Sequence, residues 1–339
     1  MTEEHAAYRL KQAPEDFKVI EEADLNLDKE SKGPFLIFKL QKKNYTTENA
    51  IQQIAKSLHL PRKQLGYAGS KDSKAITEQY ISIRGVSKER AASLNLKDIE
   101  LEYVGSRQEP LSLGDLRGNR FEITIRNLEE GEKPKQIRKM LNLFGEQRFS
   151  VNNAEIGKAI LKKDLKRAVE LITESSAADA NTMDEHLSKS RNDYCGALKK
   201  LPFKTLTIYI HAFQSKLWNK AAEEIARKGK DNKKAHKKDA GKTWLSVVGF
   251  GTEYHDEEER QIYTKILAEE GITQSDFVVR AIPALTSGGT EREFYAEIQN
   301  LEIGEPEDDD LNPGKKKCKV KFSLGKGSYA TEAVKAMMG

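Results

Sequence analysis

The chain has 339 residues, 37% of them hydrophobic and 32% charged, with a net charge of only +4. That length allows two folded units with cores of their own, and that balance fits a soluble globular protein rather than a disordered or fibrous one. So small a net charge excludes a uniformly basic nucleic-acid binder, and any nucleic-acid surface must come from local clustering. Cys195 and Cys318 form no C-x-x-C pair and the six histidines show no ligand spacing, which argues against a structural zinc site and fits a reducing compartment. The N-terminus lacks a signal-peptide core, and no apolar run reaches the roughly 18 residues of a membrane span, so a cytosolic protein is expected.

In chain order, the opening segment Leu10–Glu21 runs from a proline turn at Pro14 into a short strand. A second strand, Phe35–Leu40, is apolar on both faces and reads as central. A helix comes next, capped by Thr46 or Thr47, with Ile51, Ile54, Ala55 and Leu58 on one face, His59 at its end and Pro61 as its stop. After it stands Gly66–Gln79, GYAGSKDSKAITEQ, and then the period-two run Gln79–Ile83 of a half-buried strand. Asp72 stands between Lys71 and Ser73-Lys74 on a glycine-rich turn, and neighbouring cations favour an ionised carboxylate. A solvated surface turn is the plain alternative. A phosphate loop of the Walker type is excluded, because the required glycine and GK pair are missing.

Alternation at Ile99, Leu101 and Tyr103, and again at Phe121, Ile123 and Ile125, predicts two strands around a tight connection through Gly114–Arg120. Ile137, Met140, Leu141 and Phe144 share a helical stripe that predicts a helix ending near Gly145. Helical patterns dominate the next stretch of the chain, including Ile156–Ile160 and Leu165–Ile172, and Trp218 reads as core. Arg227–Lys242 holds eight Lys or Arg against two Asp, and no apolar residue larger than alanine, so a mobile basic loop is expected, one that either touches RNA or serves only to solvate the surface. A further helix spans Glu257–Glu270 with Gly271 just beyond it. Pro313-Gly314 turns the chain into a last strand, Cys318–Leu324, with Cys318, Val320 and Phe322 inward, and a closing helix.

Several of these stretches share one likeness. A-G-S-K-D-S-K-A-I-T-E-Q resembles the signature of the TruD family of tRNA pseudouridine synthases. Lys11–Phe17 matches its K-x-x-P-E-D-F segment, Gly118–Phe121 its G-N-x-F motif, and Asn142–Phe149 its N-x-F-G-x-Q-R-F motif. Gln214–Asn219 is similar to a Q-S-x-x-x-N helix, and Gly327–Thr331 to G-S-F-A-T with Tyr329 in place of phenylalanine. Ser150 stands where the family has glycine, a position where a side chain is unwelcome if φ is positive.

The resemblance implies that Asp72 is the essential carboxylate and Lys11 an active-site lysine that lowers its pKa. It implies that Phe17, Asn119, Phe121 and Tyr329 surround the substrate, with Lys71 and Lys74 as phosphate neighbours. The implied fold is α+β: a mixed, largely antiparallel sheet with helices from residues 1–138 and 304–339, and an inserted α/β TRUD domain at 139–303, with a basic cleft for tRNA. The implied activity is isomerisation of uridine-13 of tRNA by an archaeal-like, monomeric enzyme, without cofactor, metal or membrane. Two other classes compete: a catalytically inactive RNA-binding or chaperone protein using the same cleft, and an Asp-nucleophile hydrolase. The hydrolase would need a metal cluster or Ser/His array that the sequence does not offer.

Overall fold

The computed structural model describes residues 8–25, 27, 33–71, 75–112, 115–228, 236–238 and 242–339. The chain divides into two compact units, Met1–Met140 with Glu297–Gly339, and Leu141–Ala296. Asp72, Ser73, Lys74 and Gly114 lie outside the described residues, as do 229–235 and 239–241 of the basic stretch.

The first unit is built on one sheet. Its strands are β1 (Phe17–Ala23), β2 (Phe35–Lys43), β3 (Leu65–Tyr67), β4 (Ile76–Arg84), β5 (Ile99–Arg107) and β6 (Leu116–Leu128). After β7 (Lys139–Leu141) the chain enters the second unit. It returns to add β12 (Gln299–Ile303), β13 (Glu307–Asp308) and β14 (Lys316–Gly325). The order is β12-β14-β6-β1-β4-β2-β5, with β13 on β14 and β3 on β4. Only the β1–β4 pairing among these is parallel. This is the mixed, largely antiparallel α+β sheet expected from the sequence. Because β12 pairs with β14, residues 297–303 fall with the first unit and not with the inserted segment.

Helix α1 (Thr47–Leu58) forms as its signals dictate. Thr46 accepts the Asn49 N–H, and His59 closes the helix in the left-handed region. Ile51, Ile54, Ala55 and Leu58 pack with Phe38, Leu40, Ile81 and Ile83 of one sheet face. A short helix, α2 (Lys88–Ala92), is capped by Ser87, and α9 (Ala330–Met338) closes the chain with Ala333, Val334 and Met337 buried.

Two expectations fail here. β5 and β6 are not neighbours, since β5 pairs with β2 while β6 lies between β1 and β14. Alternation fixes the buried face of a strand, not its partner. Nor is 137–144 a helix. Pro134 biases Lys133 toward extended backbone, and β7 is followed by Asn142, whose N–H donates to the Phe294 carbonyl at 2.9 Å. Asn142 also donates its amide to the Glu293 carbonyl at 3.1 Å and accepts Arg292 Nε at its own carbonyl at 2.8 Å. These long-range bonds replace the intrahelical ones.

The second unit is mainly helical: α3 (Asn153–Leu161), α4 (Leu165–Ser175), α5 (Ala177–Lys189), α6 (Tyr194–Lys199), α7 (Phe203–Arg227) and α8 (Glu257–Glu270). A three-stranded antiparallel sheet joins them, in the order β10 (Thr290–Glu293), β9 (Lys242–Val247), β8 (His236–Lys238). The backbone of His236–Lys238 in the basic stretch is therefore a strand rather than loop. The short strand β11 (Tyr295–Glu297) leads out of the unit. Trp218 is fully buried beside Phe213, Leu217, Tyr263 and Phe277, and its indole N–H reaches the Leu245 carbonyl at 3.3 Å. Ser150 holds φ 47, the left-handed geometry that the family's glycine would adopt freely.

Candidate active site

Strand register gathers three of the predicted residues, Phe17, Asn119 and Phe121, on one face of the first unit's sheet. One rung runs Lys42, Thr77, Val19, Phe121, Phe322 across β2, β4, β1, β6 and β14. The next carries Leu40 and Gln79 on one side, and Glu21, Asn119 and Leu324 on the other. Phe17 lies opposite Ile123 one rung the other way. Most of this face is apolar core. Lys42, Thr77, Gln79 and Glu21 interrupt it as a buried polar seam, with Lys71 and Thr47 buried beside them.

Phe17 and Phe121 meet edge to face with ring centroids 6.3 Å apart, and Phe121 leans on Phe322 at 5.5 Å. Both predicted phenylalanines are buried, so they wall the seam rather than project from it. Lys11 holds its ammonium 4.2 Å from the Phe17 centroid, and its backbone is left-handed at φ 57. Asn119 is half-buried on β6. Its Oδ1 and Thr77 Oγ1 are buried atoms without a hydrogen-bond partner among the described residues. The neighbouring Gly118 makes close strand approach possible, since a Cβ there would lie 2.4 Å from the Leu324 carbonyl oxygen. Tyr329 lies beyond β14, half-buried at the start of α9. Register thus brings together Phe17, Asn119 and Phe121, and Lys11 joins them through the Phe17 ring.

Asp72 lies outside the described residues, but the residues leading into it are fixed. Lys71 Nζ donates to Glu21 Oε2 at 2.8 Å, with side-chain exposures of 6% and 0%. The Lys71 N–H donates to Thr47 Oγ1 at 2.8 Å, and Gln79 Nε2 to the Gly69 carbonyl at 3.0 Å. Lys71 is therefore no phosphate neighbour. Its ammonium is desolvated and already paired, which the local run of charges in the sequence conceals.

A second cluster holds the segment around Lys11. Arg9 and Arg126 exchange backbone hydrogen bonds at 2.8 and 2.9 Å. Arg126 Nε donates to Asp16 Oδ1 at 2.8 Å, and its Nη1 to Asp309 and Asp310 at 2.7 and 2.9 Å. Burial opposes the Arg126 charge, yet the hydrogen bonds it donates to Asp310, Asp16 and Asp309 outweigh burial and raise its pKa. Burial likewise opposes ionisation of Asp309. The N–H groups of Asn127 and Leu311, the Asn312 amide and Arg126 outweigh it and hold the carboxyl down at about 2. Asn312 donates in turn to Gln12 Oε1 at 2.8 Å. Sequence reading missed Asp16, Arg126, Asp309 and Glu21. Only Glu21 had a local signal, as the inward position two after Val19.

An open cleft of about 780 Å³, lined by Lys220, Arg227, Lys265, Glu257 and their neighbours, contains none of the predicted site residues. No helix among the described residues is long and apolar enough to cross a membrane.

The family model described as tRNA pseudouridine synthase D (TruD) matches residues 1–184, 174–243 and 230–337. A relative from Methanocaldococcus jannaschii, named "Probable tRNA pseudouridine synthase D 2", is 32% identical over 97% of this chain and 91% of its own. Another from Methanosarcina acetivorans, named "Probable tRNA pseudouridine synthase D", is 29% identical over 97% and 92%. A crystal structure described as that of the "Putative tRNA pseudouridine synthase D (TruD)" from Methanosarcina mazei superposes with a TM-score of 0.75. It is 25% identical, covering 97% of this chain and 93% of that one. With the family model matching the chain from end to end, the chain belongs to the TruD family of tRNA pseudouridine synthases, which are isomerases.

Proposed function

We propose that this chain isomerises uridine-13 of tRNA to pseudouridine, with Asp72 as the essential carboxylate. The observation that carries the reading is the Asn119 amide oxygen, buried without a hydrogen-bond partner among the described residues, beside Phe121 on the polar seam. An unmade buried acceptor costs roughly 1–3 kcal/mol, and the N3–H of a uracil ring would satisfy it. The reaction breaks the bond from ribose C1′ to base N1 and makes one from C1′ to C5. The C5 proton leaves and N1 gains one, so atoms balance without a redox partner. An ionised Asp72 serves either by attacking C1′ or by taking a ribose proton. Lys11 would keep it ionised, because a nearby cation favours the charged form.

The uridine must leave the tRNA stack to reach this face, at a cost of a few kcal/mol. Base–aromatic contact returns roughly 1–3 kcal/mol per base. In this reading Phe17, Phe121 and Tyr329 enclose the base and Asn119 reads its polar edge. Contacts to the tRNA phosphates supply the remainder of the binding.

The test is tritium release from tRNA labelled at uracil C5. Release is expected with wild-type protein, none with Asp72→Asn, and none at that site from a transcript carrying cytidine at position 13. Wild-type protein without release would refute the activity. Asp72→Asn turnover within about tenfold of wild type, a difference of only 1.4 kcal/mol in barrier, would refute the residue.

A further inference from the structure

We infer that the first unit carries a second RNA contact, a cleft at the end of its sheet that takes one unpaired nucleotide of the tRNA. The inference rests on membership of a tRNA-modifying family and uses neither Asp72 nor the target uridine.

The cleft encloses about 600 Å³, within the range that small ligands occupy. It forms where β2 begins and β4 ends, beside β3. Register sets Phe35 directly opposite Arg84, and the guanidinium carbon stands 5.5 Å from the ring centroid. Lys63 and Gln64 contribute from the short turn before β3, while Leu65 and Leu111 give a buried apolar floor. Gly66 keeps that floor close, because a Cβ there would stand 2.8 Å from the Leu111 carbonyl oxygen.

Charge and hydrogen bonding define the occupant. Lys63 and Arg84 are exposed, and among the described residues neither has a carboxylate partner and no acidic side chain lines the cleft. Arg107, opposite Phe35 on the other side, differs, since Asp115 holds it at 3.2 Å. The cleft is therefore cationic in a chain whose net charge is only +4, and it favours an anion. The Gln64 amide oxygen is buried with no hydrogen-bond partner among the described residues, beside Gly85, where a Cβ would come within 2.8 Å of it. No bond fixes that amide, so a turn about its last side-chain bond offers an acceptor and two donors to the cleft. A phosphate alone would leave the ring and the amide idle, and an acidic peptide carries no planar group beside each anion. A nucleotide uses all three features. Its phosphate meets Lys63 and Arg84, its base stacks on the ring or the guanidinium plane, and its base edge meets the amide. Each base has a donor beside an acceptor on its pairing edge, so the contact selects no particular base but needs that edge unpaired.

This nucleotide is not the one that reacts. Thr77 on the seam and Arg84 in the cleft are odd and even positions of β4, so their side chains leave opposite faces of the sheet. They also stand about 23 Å apart along the strand. The cleft therefore holds another part of the same tRNA and adds affinity without touching the reaction.

The full chain is tested as wild type, Lys63→Gln/Arg84→Gln, Phe35→Leu and Gln64→Leu, by salt-dependent tRNA binding, tritium release and urea melts. The double variant should bind more weakly at low salt, with a log K against log salt slope shallower by about 1.4–1.8, the equivalent of two phosphates. Phe35→Leu should weaken binding at least about fivefold at an unchanged slope, the scale of one stacked base. Gln64→Leu should weaken binding about tenfold while its urea midpoint holds or rises, because the free protein loses an unmet polar group. A purely structural glutamine would lower the midpoint instead. In each variant KM should rise while kcat at saturating tRNA stays at the wild-type value.

Wild-type affinity and slope in the folded double variant would overturn the inference and leave the cleft to an acidic protein partner. So would wild-type affinity in Phe35→Leu, or a fall in kcat with KM unchanged. If Phe35→Leu melts early, the exposed double variant and Gln64→Leu decide the matter. A wild type that gives these binding results but releases no tritium would sink the proposed reaction and leave the cleft standing, whereas one that binds no tRNA would sink both.

Discussion

Arg126→Met removes the one cation shared by Asp16, Asp309 and Asp310. Asp310 is 58% exposed and returns to water at little cost. Asp16 and Asp309, with side-chain exposures of 2% and 0%, have no such escape. Breaking a buried pair by removing one partner typically costs 3–5 kcal/mol. Asp309 keeps the Asn127 and Leu311 N–H groups and the Asn312 amide, whereas Asp16 keeps the Ala13 N–H. The loss should therefore sit near the lower limit, about 3 kcal/mol, which lowers Tm by roughly 6–12 °C in a unit of this size. The pH dependence has a definite sign. With its pKa held at about 2, wild-type Asp309 stays ionised in mild acid, and its contribution is lost only as pH falls through that value. Without Arg126 the Asp309 carboxyl protonates more readily, which relieves its unpaired charge. The deficit measured by urea denaturation should thus be largest at neutral pH and shrink near pH 4.5. An equal deficit at both pH values, or one under about 1 kcal/mol, would refute the clamp as an electrostatic device.

Lys11→Met, which takes a cation from beside the Phe17 ring, should move the acidic limb of the pH–rate profile upward, because a carboxylate without that neighbour ionises at higher pH. An unmoved limb with only KM raised would make Lys11 a phosphate contact. Ser150→Gly, at φ 47, should stabilise the second unit by about 1 kcal/mol in a urea melt, and no gain would show that the serine is unstrained there. Changing Lys233, Lys234, Lys237 and Lys238 to Gln should weaken tRNA binding at low salt and flatten the log K against log salt slope by about two to three. Isotherms that superimpose at every salt concentration would remove this stretch from the RNA footprint.

What the sequence revealed was local, and what it hid was long-range. Thr46, Ile51, Ile54 and Pro61 announce α1 because caps, periodicity and breakers act within one or two turns. Cys318, Val320 and Phe322 announce β14 for the same reason. The helix expected at 137–144 fails because Asn142 bonds to residues about 150 positions away, which no local pattern records. Lys71 misleads in the same manner. Among Lys71, Asp72 and Lys74 it reads as solvated, and only its approach to Glu21, 50 positions earlier, buries it.

The Asp16-Phe17 dipeptide shows how the two kinds of information meet. Phe121 and Arg126 are odd and even positions of β6, so their side chains leave opposite faces of the sheet. Phe17 packs on Phe121 while Asp16 grips Arg126, and one peptide unit is thereby pinned from both faces. The residues just before it, including the left-handed Lys11, inherit that rigidity through the Asp16–Ala13 bond of 2.8 Å and the Arg9–Arg126 bridge. A strained backbone persists only where its surroundings over-determine it. Here they do so on each side of Lys11. The P-E-D-F run therefore combines a ring for the seam with the anchor that holds the lysine against that ring.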